Sequence, residues 1–400
     1  MDYAWGSTTF IPELLGRPCP SPKPAAELWM GAHPRGPSLV EIGGGTVPLD
    51  RLIREDPIGI LGERAVEKFG ERLPFLLKIL AVDQPLSIQA HPDRDQARRG
   101  FRRENAAGIP VGDPGRNYRD ESAKPELLCA LTPFEALCGF RDPADIVVAF
   151  AELGLDALLP EAVLFRDNPG RENLRSLFRA LLSLPEAEKR TVLERIGELV
   201  EEEKQCGRLP APVRSWLARL RRLYPGDIGV SAPLFLNFVR LEPEEALFLA
   251  AGELHAYLNG AGVEIMASSD NVLRGGLTVK HIDGAELADI LSCRCGPASA
   301  VRAEPGRGGE FVYPCPAQEF QLSRLLPVSS APFRSGRRAG AEIVFCHRGR
   351  ARALGRAQPA VDLGRGDSIF IPFGAGEYSI RGEAVLYRAA LPSPGPTKPA

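Results

Sequence analysis

Hydrophobic spacing changes twice along this chain, and the two changes limit what it can fold into. From 143 to 224 apolar residues recur three and four apart, as in LRSLFRALLSL (174–184), AEKRTVLERIGELVEEEK (187–204) and VRSWLARLRRLY (213–224). That is the period of a helix with one buried face. Pro143, Pro185, Pro210 and Pro225 punctuate these runs. On either side the pattern is that of strands. PFLLKILAVDQPLSIQAH (74–91) reads as two strands with a turn near Asp83-Gln84-Pro85, and KPELLCALTPFEALCGFR (124–141) as another; a Gly/Arg/Asn-rich loop is expected over 100–122. After 233, PLFLNFVRL, EALFLAAGELHAYL and AGVEIMASSD are short and turn-bounded. Such strands predict an antiparallel sandwich or barrel rather than a βαβ sheet. No GxGxxG follows a strand, no GxxxxGK[ST] occurs, and Gly43-Gly44-Gly45 reads as a hairpin turn.

A short internal repeat refines this. ALFLAAGELHAYL (246–258) resembles SIFIPFGAGEYSI (368–380), with Gly252 aligned to Gly374 and His255 to Glu377. GRGDSIFIP has the turn-strand pattern of small cupin-type barrels. The expected architecture is mainly β with an α insertion: two cupin-like (jelly-roll) β-barrels plus an inserted helical domain. The first barrel takes 1–142 and 228–305, the helical domain 143–227, and a metal-free second barrel 306–400.

Composition excludes several classes. A net charge of -2 offers no general attraction to nucleic acid, and no apolar run is long enough to span a membrane. The start, MDYAWGSTTF, lacks the features of a signal peptide. The 8 Cys follow no disulfide framework, and Cys293-Arg-Cys295 alone is a weak metal or redox spacing. A reduced, cytoplasmic setting is expected, with a small-molecule partner, no nucleic acid, no membrane, and a monomer as the default state.

Candidate chemistry sits at the end of LSIQAHPD. On a strand, Ser87, Gln89 and His91 share one face, opposite Leu86, Ile88 and Ala90. A row of polar groups on a buried strand is costly unless paired or bound to something. Lysine is scarce, eight of 49 basic residues, so Lys78, Lys124 and Lys280 within or beside apolar segments invite a chemical reason. There are only 5 His (33, 91, 255, 281, 347), which nearly excludes a three-His site. Gln89, His91, Glu126 and His255 are the candidate ligands on strands, and two His with one Glu suit zinc. Spacing supports Gln89 with His91; it does not bring Glu126 or His255 near them, and each His taken alone reads sooner as a hydrogen-bonded core or loop residue than as a ligand.

PLSIQAHPD, KPELLCALTPFEALCGFR and HAYLNGAGVEIMASSDNVLRGGLTVK resemble the signature stretches of type I phosphomannose isomerases, and AELWMGAHPRGPS (26–38) extends the likeness. The resemblance implies a zinc-dependent cupin enzyme interconverting mannose 6-phosphate and fructose 6-phosphate, with one Zn2+ per chain on Gln89, His91, Glu126 and His255. Three departures stand out. Ser122-Ala123 replaces the family's Asn-His before Lys124-Pro125-Glu126, Arg274-Gly275-Gly276 replaces Arg-Ala-Gly, and Thr278-Val279-Lys280 replaces Thr-Pro-Lys.

An aldose-ketose isomerisation needs a base near C1 and C2, a group for the developing oxyanion and an anchor for the phosphate. Arg274 supplies a fixed positive charge, Glu264 is the candidate base, and Lys124 is placed to shuttle a proton between oxygens. Ser87, Lys78 and Lys280 suit the phosphate. Tyr257 is counted with the substrate-binding residues; His33 and His281 are supporting or structural. Two competing readings are a non-catalytic sugar-phosphate-binding cupin and an iron cupin dioxygenase, the latter disfavoured because Gln89 occupies the first place of a His-x-His pair.

Overall fold

The run FLLKILAV forms a strand, Phe75–Val82, buried at every position. It is sandwiched in register between Glu27–Met30 and the 13-residue strand His255–Ala267. The computed structural model describes residues 1–206, 209–356 and 359–392, so residues 393–400 of the expected second barrel lie outside the described residues. Within these, the chain forms a nine-stranded and an eight-stranded antiparallel sheet, a separate hairpin and a block of helices. The hairpin pairs Leu39–Ile42 with Gly45–Pro48; Gly43 and Gly44 turn it at positive φ, as the triple glycine implied.

His255–Ala267 organises the nine-stranded sheet. It pairs with Phe75–Val82, Ile88–Ala90, Glu126–Ala130 and Phe134–Phe140. The segment expected as one strand over 124–141 is therefore two, broken at Leu131–Pro133. Pro133 has no N–H for a ladder, and the long strand bends opposite it at Gly260, whose φ is 120°. A Cβ there would sit 2.7 Å from the Pro133 carbonyl oxygen. The loop expected over 100–122 also needs correction, because a helix, Arg94–Ala106, occupies its first part. Asp93 caps that helix reciprocally with Gln96, and the Arg/Gln/Ala-rich sequence favours it.

The helical spacing is realised in Pro143–Glu152, Pro160–Asp167, Arg171–Leu182, Glu186–Cys206 and Ala211–Leu223. Their apolar faces do not form a core of their own. Leu177, Phe178, Trp216 and Leu220 share one cluster with Ile88, Ala90, Leu137 and Ala256 of the sheet. The helices thus cover the outer face of the strands whose other face carries Gln89 and His255. A second cluster joins Leu77, Ile79, Leu127 and Ile265 to Leu322, Phe345 and Tyr387 of the eight-stranded sheet and to Phe320 just before its strand Gln321–Leu325.

The sequence repeat has a counterpart in register. Glu126 faces Leu249 in the first sheet, and Glu342 faces Ile371, the residue aligned with Leu249, in the second. One step further, Leu128 faces Glu264 and Val344 faces Arg388. Carried into the long strand, the register puts Ser379 rather than Glu377 at the station of His255: His255 faces Gln89 and Cys138, and Ser379 faces Arg334 and Leu354. The turn into the second long strand, through Phe373–Ala375, takes up the difference.

His347, on the strand Glu342–Gly355, is buried beside Tyr387. Burial, then Arg348 and Arg365, push its pKa from 6.5 down to about 4. The unfolded chain therefore takes up the proton first, so the stability held by neutral His347 is complete above pH 6.5 and drains away as pH falls toward 4. Thermal unfolding at about pH 7 and about pH 4.5 should show a smaller acid-induced loss for His347→Gln than for the wild type.

Candidate metal centre and anion pocket

His91, Glu126 and His255 come from three segments and meet inside the nine-stranded sheet. Their potential ligand atoms all lie within 4.8 Å of one another. Both histidines are fully buried and Glu126 nearly so. His91 Nε2 is 3.4 Å from Glu126 Oε1, and His255 Nε2 is 3.6 Å from Glu126 Oε2. Each imidazole is oriented from behind: His91 Nδ1 donates to the Asn271 carbonyl at 2.8 Å, and His255 Nδ1 to the Glu253 carbonyl at 2.9 Å. That tautomer leaves both Nε2 lone pairs facing carboxylate oxygens, acceptor against acceptor. His91 Nε2, His255 Nε2 and Glu126 Oε2 accordingly have no hydrogen-bond partner among the described residues. Such an arrangement is unfavourable for the protein alone and fits a bound cation.

The charges agree. Burial and then Lys124 press the His91 pKa down to about 4, so its imidazole is neutral, as a ligand must be. Burial alone would raise the Glu126 carboxyl; the Lys124 ammonium beside it outweighs this and holds it well below the usual range. Lys124 Nζ lies 2.7 Å from Glu126 Oε1. Gln89 is adjacent by register, with His255 across from it on one side and Arg274 on the other. The group of His91, Glu126 and His255 offers two imidazoles and a carboxylate, which suits a borderline metal such as zinc better than a hard one.

Glu264 is buried with both oxygens engaged, by Lys78 Nζ at 3.1 Å and Tyr257 Oη at 3.0 Å. Its ion pair is with Lys78, not with Arg274. Burial raises its carboxyl, against the pull of Lys78. Lys78 also lies over the Trp29 ring, 5.4 Å from its centroid, so its ammonium is committed to this cluster. Ser87 is half-buried at the entry to Ile88–Ala90. Arg274, half-buried on the strand Leu273–Gly276, and the exposed Lys280 are cations without a side-chain hydrogen bond or ion pair among the described residues. Burial, then Arg119, lowers Arg274; burial, then Arg274, lowers Lys280. Neighbouring cations that depress one another and have no anion suit an anionic ligand.

Some site residues gave no sequence signal of their own. His33 Nε2 is 3.4 Å from Asp270, which Arg35 also pairs, and Asn271 backs His91. Asp270 and Asn271 stand in the quoted stretch SSDNVLRGG, but their partners are distant along the chain, so spacing could not single them out.

A buried His-Glu-His group on an antiparallel sheet, with the unpaired Arg274 across from the neighbouring Gln89, suits a metal-dependent protein with an anionic ligand. Comparison with known proteins gives the family. Residues 1–143 match the model of the phosphomannose isomerase type I catalytic domain. The mannose-6-phosphate isomerase of Escherichia coli K12 is 39% identical over 391 residues, covering 97% of this chain and 96% of that protein. A variant of phosphomannose isomerase from Salmonella typhimurium superposes with a TM-score of 0.90 at 37% identity, covering 98% of this chain and 97% of that one. A zinc-bound mannose 6-phosphate isomerase superposes with a TM-score of 0.88 at 37% identity over the same shares. The chain belongs to the type I phosphomannose isomerase family, as the signature stretches implied.

Metal analysis of the purified protein should find about one divalent ion per chain. His255→Ala should lose most of it, because removing one imidazole leaves a poor ligand set. Full occupancy in that variant would contradict the assignment.

Proposed function

We propose that this protein is a zinc-dependent isomerase that interconverts mannose 6-phosphate and fructose 6-phosphate. The observation that carries the reading is the buried trio His91, Glu126 and His255, with ligand atoms lacking other partners, in a chain nearly coextensive with named mannose-6-phosphate isomerases. Gln89, His91, Glu126 and His255 would hold one Zn2+, which would supply Lewis-acid polarisation and a template for the sugar oxygens.

The remaining chemistry belongs to the side chains. Ser87 and Lys280 bind the phosphate, fixing the reacting end by contacts remote from it. Glu264 is the base that moves the proton between C1 and C2. Burial raises its carboxyl against the pull of Lys78, and Lys78 and Tyr257 hold it in one orientation. Lys124 passes a proton between O1 and O2. Arg274, without a partner of its own, stabilises the oxyanion of the enediol. A protein that only bound sugar phosphate would not need Glu264, Lys124 and Arg274 together, and the relatives are named as isomerases.

The fold is read as two cupin-like barrels. The first comprises 1–142 and 228–305, with the helical domain 143–227 inserted, and the second begins at 306. The matching registers around Glu126 and Glu342 support this. The second barrel is metal-free because Glu342 is already neutralised: Arg388 Nε lies 3.2 Å and Arg338 Nε 3.4 Å from its carboxylate, and Tyr378 donates to it at 2.6 Å. The protein works as a cytoplasmic monomer on a small sugar phosphate, in keeping with the free thiols of Cys19, Cys129, Cys138, Cys293, Cys295, Cys315 and Cys346. Among the described residues, no helix is long and apolar enough to cross a membrane.

The test is Arg274→Ala in a coupled isomerase assay with metal content measured alongside. Losing a preorganised charge at the developing oxyanion should lower kcat by on the order of 10²–10³, with KM moving much less and metal retained. Arg274→Lys should recover little, because an ammonium does not reproduce the guanidinium fork. If kcat is kept and only KM rises, Arg274 is a binding residue and the mechanism fails.

A further inference from the structure

We infer that Asn271 is a positioning residue that holds the metal ligands His91 and Glu126 and the proton-shuttling Lys124 in one arrangement; this rests on the function proposed above. Asn271 is fully buried. Its carbonyl accepts from His91 Nδ1 at 2.8 Å, which aims Nε2 into the cluster. Its side chain works in the opposite direction, on the segment leading to Lys124 and Glu126. Asn271 Oδ1 accepts from the backbone N–H of Arg119 at 2.7 Å and of Asp120 at 3.2 Å. Its Nδ2 donates to the carbonyls of Asp120 and Ser122, both at 2.9 Å, and to Asp120 Oδ1 at 3.3 Å.

The contact is reciprocal. Asp120 accepts from the hydroxyl of Ser269 at 2.9 Å and the backbone N–H of Asp270 at 2.9 Å, while the N–H of Asn271 itself donates to Ser269 Oγ at 3.3 Å. Segments 119–122 and 269–271, distant in sequence, are thereby stitched main chain to side chain in both directions. One is followed by Lys124 and Glu126, the other by Arg274. Among the described residues, Asn271 touches both the back of a ligand imidazole, through its backbone carbonyl, and the approach to a ligand carboxylate, through its amide. Because its amide grips the backbone of 119–122, the grip does not depend on which side chain stands at 123. Ala123, where the family's pattern has His, therefore leaves Lys124 and Glu126 still anchored.

Removing the amide leaves part-buried carbonyls and N–H groups of 119–122 without this partner and frees both segments. Loss of an outer partner of a metal ligand typically costs about 10–100-fold in metal affinity or activity. The experiment uses zinc-loaded full-length protein and two variants, Asn271→Ala and the isosteric Asn271→Asp. The second keeps the Oδ1 acceptor but turns the donor into an acceptor facing two carbonyls, and it decides the matter if the first does not fold. Zinc transfer to an excess of a chromogenic chelator should be at least about tenfold faster in the variants, and kcat at least about tenfold lower, with KM within about threefold. Wild-type zinc release and kcat in the folded variants, a loss of thermal stability alone, or a change confined to KM would each overturn the inference. A wild-type protein that holds no zinc would instead overturn the proposed function.

Discussion

A carboxylate kept from water must be matched by positive charge, and Glu126 imposes that condition on the whole site. It is 2% exposed, and the imidazoles beside it turn lone pairs, not protons, toward it because their Nδ1 atoms are spent on the carbonyls of Asn271 and Glu253. Lys124 supplies one positive charge. The unpartnered atoms that remain call for a cation held between the three ligands, so the backbone carbonyls behind the histidines do as much to specify a metal centre as the ligands themselves.

The same long strand that carries His255 also carries Tyr257 and Glu264, and its neighbours deliver the rest. Lys78 faces Glu264 across one ladder, and Gln89 faces His255 across another. Antiparallel pairing fixes which residues face each other, and side-chain alternation fixes which of them share a face. The helices of 143–223 bury the outer face of this frame in a common core. A catalytic arrangement on strands backed by such a core is held more rigidly than one carried on loops, which suits chemistry that depends on preorganised charge.

The second sheet meets the same requirement by another route. Glu342 occupies the station of Glu126 by register, yet its carboxylate is flanked by the guanidinium groups of Arg388, at the station of Glu264, and of Arg338. Arg388 reaches a second carboxylate as well, Glu310, at 2.7 Å. A buried charge pair of this kind needs no ion from solution. Breaking it by removing one partner would leave an unmatched charge in the interior, which is costly.

Much of this could be read from the chain alone, and the limits have physical causes. Period gave the helical block and the strands around it, because burial of one face repeats at fixed intervals. It did not give the break at Leu131–Pro133 or the helix Arg94–Ala106, which depend on what Gly260 and the Asp93 cap do locally. Gln89 and His91 were legible as a polar row since neighbours two apart on a strand share a face. Glu126 and His255 joined them only through likeness to a family, for no local spacing links segments so far apart. The repeat found Leu249 and Ile371, but the pairing of strands moved the counterpart of His255 from Glu377 to Ser379. Which groups are spent on one another, Lys78 on Glu264 or Asn271 on 119–122, and which are left free, such as Arg274, was decided by the tertiary structure alone. Sequence fixes the residue types and their local periodicity; long-range strand pairing and burial determine which of them meet and which charges go unmatched.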